Sequence, residues 1–152
     1  MLKRTHLSIS MASLLYFAPY MAHQIIFSGI LLAATMIPDI DHGFSSLGRR
    51  KIFRPVQWMT VHRGFLHSYT CCILMSVIVM LFWPIAALPF FLGYSFHLFA
   101  DSFTQDGIQP FWPHKKKSSG PIRAGGFTEK IVFIVFIGLD ILLAIIAYNK
   151  MF

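Results

Sequence analysis

The sequence predicts an all-α integral membrane bundle of four to five helices with a metal site at one membrane face. Three observations carry this expectation. Hydrophobic residues make up 56% of the 152 residues and charged residues only 12%, about half the charged share of soluble domains. The apolar residues fall into runs divided by Pro, Gly and charge, the pattern of membrane helices. The few ionisable residues near those runs gather at the run ends. So little polar surface cannot cover a soluble core of this size, and the chain reads as one membrane-embedded domain over residues 1–152. The two cysteines, Cys71 and Cys72, are adjacent in an apolar run and read as small packing residues rather than a disulfide.

The first helix is expected from about His6 to Phe17, ending before Pro19. It is short for a span and so tilted or partly interfacial. Pro19 and His23 interrupt the apolar stretch without a small-residue cleavage site, which favours a retained element over a signal peptide. The second helix is expected from Ala22 to Ile37, stopping at Pro38. The third runs from Arg63 to Phe82, before Trp83-Pro84. The fourth runs from Ile85 to Thr104 and the fifth from Thr128 to Tyr148. Between them lie two polar connections, Asp39–His62 and Gln105–Phe127, of a length that usually carries function.

Lys and Arg number 13 against 6 Asp and Glu, giving +7. If the helices alternate, one face holds Lys3, Arg4, Arg49, Arg50, Lys51, Arg54, Arg63, Lys115, Lys116, Lys117, Arg123 and Lys130. That is 12 of the 13 basic residues, and the positive-inside rule makes this face cytoplasmic. Topology therefore accounts for the charge and for the Lys115-Lys116-Lys117 run, and no nucleic-acid partner is expected.

Ionisable residues cost about 2.5–3.5 kcal/mol each at the centre of a membrane helix, so they need a reason there. His6 opens the first helix, and Pro38-Asp39-Ile40-Asp41-His42 closes the second. His62-Arg63-Gly64-Phe65-Leu66-His67-Ser68 opens the third. His97 and Asp101, four apart near the end of the fourth, share one helical face. Alternation brings all four segments to the same membrane face. Imidazole suits Zn²⁺, with Mn²⁺ or Mg²⁺ as alternatives, and carboxylate offsets the metal's charge. The candidate ligands are His6, Asp39 or Asp41, His42, His62, His67, His97 and Asp101, enough for one or two ions. His62 and His67 suit one metal best if His62 precedes the helix and His67 lies in its first turn. His23 and His114 read as interfacial hydrogen-bonding residues, and Ser68 as a helix cap rather than a nucleophile.

These residues resemble the YdjM-like inner-membrane proteins, described as LexA-binding, membrane-bound, proposed metal-dependent hydrolases. The resemblance covers His6 to about Glu129. It includes Pro38-Asp39-Ile40-Asp41-His42, His62-Arg63-Gly64-Phe65, His67-Ser68, Gly93-Tyr94 with His97, Ala100-Asp101, Thr104, Gly107, Trp112-Pro113, and Gly126 with Glu129. Leu66 stands where the family usually has Thr, removing a hydroxyl able to support a ligand. The resemblance implies a multi-pass inner (plasma) membrane protein with metal-dependent hydrolase chemistry. The arrangement is also similar to zinc-dependent phospholipase C and related nucleases, a likeness of architecture rather than of chemistry.

The chemistry expected is metal-assisted hydrolysis of a phosphoester in a lipid, lipid-linked or nucleotide substrate. An anionic phospholipid or lipid-linked phosphate suits a site at the headgroup layer. Arg63 would clamp phosphate, and Asp39, Asp41 or Glu129 would act as general base. The competing class is a metal-binding membrane protein without catalysis, either a transport component or an interaction factor. A transporter is expected to carry polar residues at mid-membrane, where only Asp140 qualifies. Oligomeric state is not legible.

Overall fold

The computed structural model describes residues 1–41, 54 and 64–151. The chain is all-helical, with five α-helices among the described residues. They are α1 (Lys3–Phe17), α2 (Gln24–Thr35), α3 (Tyr69–Phe82), α4 (Pro84–Ser102) and α5 (Phe127–Met151). Single 3-10 turns follow α1 and α2, at Ala18–Tyr20 and Pro38–Asp41, and a third, Phe65–His67, precedes α3.

Local chemistry sets these ends. Pro19 lies in the turn after α1, because its ring and missing N–H oppose a continued helix. α3 begins at Tyr69, later than the Arg63 expected from hydropathy. Ser68 is the reason: its backbone is extended, and its hydroxyl accepts the Cys71 N–H at 3.1 Å. That is an N-cap. His67 consequently lies in the turn ahead of the helix, not in its first turn. Pro84 opens α4 at a position where an absent N–H loses no helical bond.

α4 is the central helix. It packs along α2 and α3 and also meets α1, while α1 lies against α5. Leu31, Ala34, Cys71, Cys72, Tyr94 and Leu98 are buried between them. Gly93 permits the α2–α4 approach, since a Cβ there would lie 2.1 Å from the Leu31 carbonyl oxygen. The segment after α4 is pinned back on itself. Ile108 and Ser118 exchange backbone hydrogen bonds, each at 2.9 Å, and Gln105 N–H donates to Ile122 O at 2.9 Å. Gly107 turns the chain there with φ 60°, a conformation that favours glycine.

Among the described residues one helix is long and apolar enough to cross a membrane, Phe127–Asn149 in α5, with mean hydropathy 2.8. Its 23 residues span about 34 Å against a hydrocarbon core of about 30 Å. α2 and α3 are apolar but shorter, about 18 and 21 Å.

Candidate metal centre

Four segments meet at one end of the bundle. Asp39 stands on the turn that Pro38 opens after α2. His67 stands on the turn before α3, which is held from two sides. The buried Tyr94 hydroxyl donates to the Leu66 carbonyl at 2.7 Å, and Tyr69 N–H donates to the Pro110 carbonyl at 2.7 Å. His97 and Asp101 lie one turn apart on α4, and His6 faces them from α1. His6, His67, His97 and Asp101 are all at most 2% exposed.

Donor atoms form a regular set. Asp39 Oδ1 lies 3.8 Å from His67 Nε2 and 3.7 Å from His97 Nε2. Asp101 Oδ2 lies 3.8 Å from each of the same two nitrogens. These separations are too long for hydrogen bonds. They are close to the roughly 3.3–3.6 Å between ligands of a tetrahedral ion with bonds of about 2.0–2.2 Å. The other oxygen of Asp101 turns away, 3.3 Å from His6 Nε2 and in contact with the Met1 amino group. The His6 and His97 rings stack at 3.9 Å. Two overlapping triads result, Asp39–His67–His97 and His6–His97–Asp101, each with its donor atoms within 4.8 Å of one another.

Electrostatics favour an ionised carboxylate here. Burial works against the Asp39 charge, but His67, His97 and His6 outweigh it and hold the carboxyl well below the usual carboxylate range. Both ring nitrogens of His97 are buried without a hydrogen-bond partner among the described residues. Buried imidazole nitrogens normally have partners, so this arrangement suits an electrophile such as a metal ion.

Of the residues singled out from sequence, the fold brings together His6, Asp39, His67, His97 and Asp101. His42, His62, Arg63 and the side chain of Asp41 lie outside the described residues. Asp39, considered as base or ligand, is among the donors. Glu129 belongs to neither triad. It is buried in the first turn of α5 and accepts hydrogen bonds from Thr5 Oγ1 at 2.8 Å and from the N–H groups of Leu2 and Gly125. It therefore ties the start of α1 to the start of α5. His23 and His114 are exposed and stand in neither triad. Sequence reasoning assigned no role to Tyr94, although it falls within the quoted Gly93-Tyr94 motif, nor to the Met1 amino group, which carried no signal.

An all-helical chain whose segment ends converge on buried histidines and carboxylates defines a class: helical proteins with a candidate metal centre between helix ends. Within that class, the family described as YdjM inner membrane protein matches residues 1–151, and the chain belongs to it. Inner membrane protein YdjM of Escherichia coli (strain K12) is 35% identical over 96 residues, covering 57% of this chain and 49% of that protein. The YdjM of Shigella flexneri matches to the same extent. An uncharacterized protein, YvsG of Bacillus subtilis (strain 168), is 29% identical over 140 residues, 85% of each chain. The match thus spans about half the length of the two YdjM relatives. No solved structure matches.

Proposed function

We propose that this chain is a membrane-bound metal-dependent hydrolase acting on a phosphoester in a lipid, lipid-linked or nucleotide substrate. The observation that carries the reading is that Asp39 Oδ1 and Asp101 Oδ2 each lie 3.7–3.8 Å from both His67 Nε2 and His97 Nε2. Two imidazoles and two carboxylates fit Zn²⁺, with Mn²⁺ as the alternative. These four residues would hold the ion, and His6 with the second oxygen of Asp101 offers the start of a second position. A bound ion supplies Lewis-acid stabilisation of phosphoryl charge and lowers the pKa of its water.

The chain's own residues do the rest. Arg63, next in sequence to the segment carrying His67, clamps phosphate through its planar fork. Asp41 is the favoured base, because Asp39 is among the donors and Glu129 already accepts three hydrogen bonds. The basic segments face the cytoplasm in a multi-pass arrangement, which a reporter fused at Ser119 checks; an external signal reverses the orientation.

The deciding measurement is metal content of the purified protein, followed by turnover of phospholipids, lipid-linked phosphates and nucleotides with Zn²⁺ or Mn²⁺. Arg63→Ala is expected to keep metal and lose about 10²-fold in rate, the scale of a lost charge-stabilising group. The Glu129 carboxylate, already engaged by three donors, favours one second reading, a metal-binding membrane protein without catalysis. Metal-loaded protein that turns over none of these substrates supports that reading instead.

A further inference from the structure

The backbone pairing of Ile108 with Ser118 closes residues 109–117 into a loop, and His114 N–H, donating to the Phe111 carbonyl at 2.8 Å, tightens its turn. The sequence sorts this loop into two aromatics, Phe111-Trp112, followed by three cations, Lys115-Lys116-Lys117. Residues 111–117 are all exposed, with Phe111 at 66% and Trp112 at 42%. The positive-inside rule accounts for the side on which the lysines stand. It does not account for two large rings held out beside them.

Position supplies the missing partner. The loop precedes α5, whose apolar span starts at Phe127, itself 79% exposed. Lys130 is exposed in the first turn of that helix. Across residues 103–130 five cations stand against two carboxylates, Asp106 and Glu129, and Glu129 is buried. The loop is also braced to the metal centre. The Trp112 ring meets Phe65 edge-on at 5.1 Å, and the Pro110 carbonyl accepts the Tyr69 N–H at 2.7 Å. Phe65 and Tyr69 flank His67 in sequence.

We infer that the 109–117 loop is a docking surface for anionic phospholipid headgroups. Phe111 and Trp112 lie in the bilayer interface, and Lys115, Lys116 and Lys117 pair with lipid phosphates. Aromatic rings, Trp above all, favour the headgroup level. Lysines are drawn to an anionic leaflet within a Debye length of its surface, and a loop leading into a span stays within that reach. Nucleic acid would also attract the lysines. Rings placed next to the start of an apolar span, in a family of inner membrane proteins, favour lipid.

The test uses the full chain carrying Trp58→Phe and Trp83→Phe, which leaves Trp112 as its one tryptophan, in phosphatidylcholine vesicles. Phosphatidylglycerol brominated on its acyl chains close to the headgroup should quench Trp112 about fivefold more effectively, mole for mole, than brominated phosphatidylcholine. That is the worth of about one lysine at an anionic surface. Lys115→Ala, Lys116→Ala and Lys117→Ala together should make the two lipids equal, as should salt at about 1 M, where charges act over only about 3 Å. The three side chains are exposed, so thermal unfolding should not change. The unaltered chain gives an independent answer with phosphatidylglycerol photoreactive at its headgroup, whose label should fall on peptides from this loop.

Equal quenching by the two lipids in the parent overturns the inference, as does quenching by neither or label absent from the loop. A preference that survives the triple lysine variant places the anionic lipid elsewhere and overturns it too. A shift in Trp112 emission on adding duplex DNA, without quenching by either lipid, assigns the loop to nucleic acid instead. Docking needs neither metal nor turnover, so it fails separately from the hydrolase reading. A phosphatidylglycerol preference without hydrolysis sinks only the hydrolase, and phosphoester turnover without that preference sinks only the docking surface.

Discussion

α4 and α5 are the two longest helices among the described residues, with 19 and 25 residues, and they differ in how they treat the polar residues beyond their first turns. α4 is enclosed by α1, α2 and α3 and buries Gly93, Tyr94, His97 and Asp101. α5 lies against α1 and exposes Ile134, Val135, Ile141 and Leu142, the face expected of a helix in hydrocarbon. Its one mid-helix carboxylate, Asp140, is distant in sequence from every residue of the donor set. Apolarity marks the bilayer face, whereas chemistry gathers where a helix is surrounded. An ionisable residue matters here through the segments that meet it.

The sharpest break in this comparison is to remove one carboxylate from each helix. Asp101→Ala takes away the residue that faces His6, His67 and His97 at 3.3–3.8 Å. Removing a supporting partner of a ligand typically costs about 10–100-fold in metal affinity, and removing a donor should exceed that. Asp140→Ala should leave metal content unchanged. Metal titration of both purified variants decides it, and equal affinities would remove Asp101 from the centre.

Glycine gives the same contrast in packing. Gly93→Ala places a Cβ 2.1 Å from the Leu31 carbonyl oxygen, so α2 and α4 must separate. A loss of about 3 kcal/mol is expected, the upper end of overpacking. Gly138→Ala on α5 meets nothing within 4 Å and should be neutral or stabilising by up to ~1 kcal/mol through helix propensity. Thermal unfolding in one detergent compares the two. A similar loss in both would show that α4 is no more tightly enclosed than α5.

Tyr94→Phe asks whether the α4 environment positions a donor. The hydroxyl holds the Leu66 carbonyl at 2.7 Å, one residue before His67. Its removal should cost about 2 kcal/mol and weaken metal binding by roughly tenfold through a looser turn. Unchanged affinity with lowered stability would make the hydroxyl a packing feature alone.

The reach of the sequence differs along the same lines. Helix number and approximate spans follow from the apolar runs, and the gathering of His6, Asp39, His67, His97 and Asp101 follows from their placement at run ends. The start of α3 does not, because hydropathy continues from Arg63 while one hydroxyl, that of Ser68, sets the helix end at Tyr69. Asp39 and Asp41 are indistinguishable in sequence, and it is the turn after Pro38 that brings the Asp39 carboxylate to His67 and His97. The Glu129 contacts were equally out of reach. Two of its three donors are backbone N–H groups, of Leu2 and Gly125, and backbone partners leave no residue signature.

Glu129 supplies the finest division between the two helices, because it is a residue of α5 hydrogen-bonded to the N-terminal turn of α1. Glu129→Gln keeps an oxygen for Leu2 N–H and the Thr5 hydroxyl but turns an NH₂ toward Gly125 N–H. The lost acceptor should lower stability by about 1 kcal/mol. Metal affinity should fall by less than about tenfold, because His6 moves only through its neighbour Thr5. If Glu129 is instead the base, turnover falls by roughly 10²-fold or more with metal and thermal stability retained. Measuring unfolding, metal and rate on this one variant separates a tie between helices from a proton acceptor. A stability loss without a rate loss leaves proton transfer to Asp41 and confines α5 to holding α1 in place.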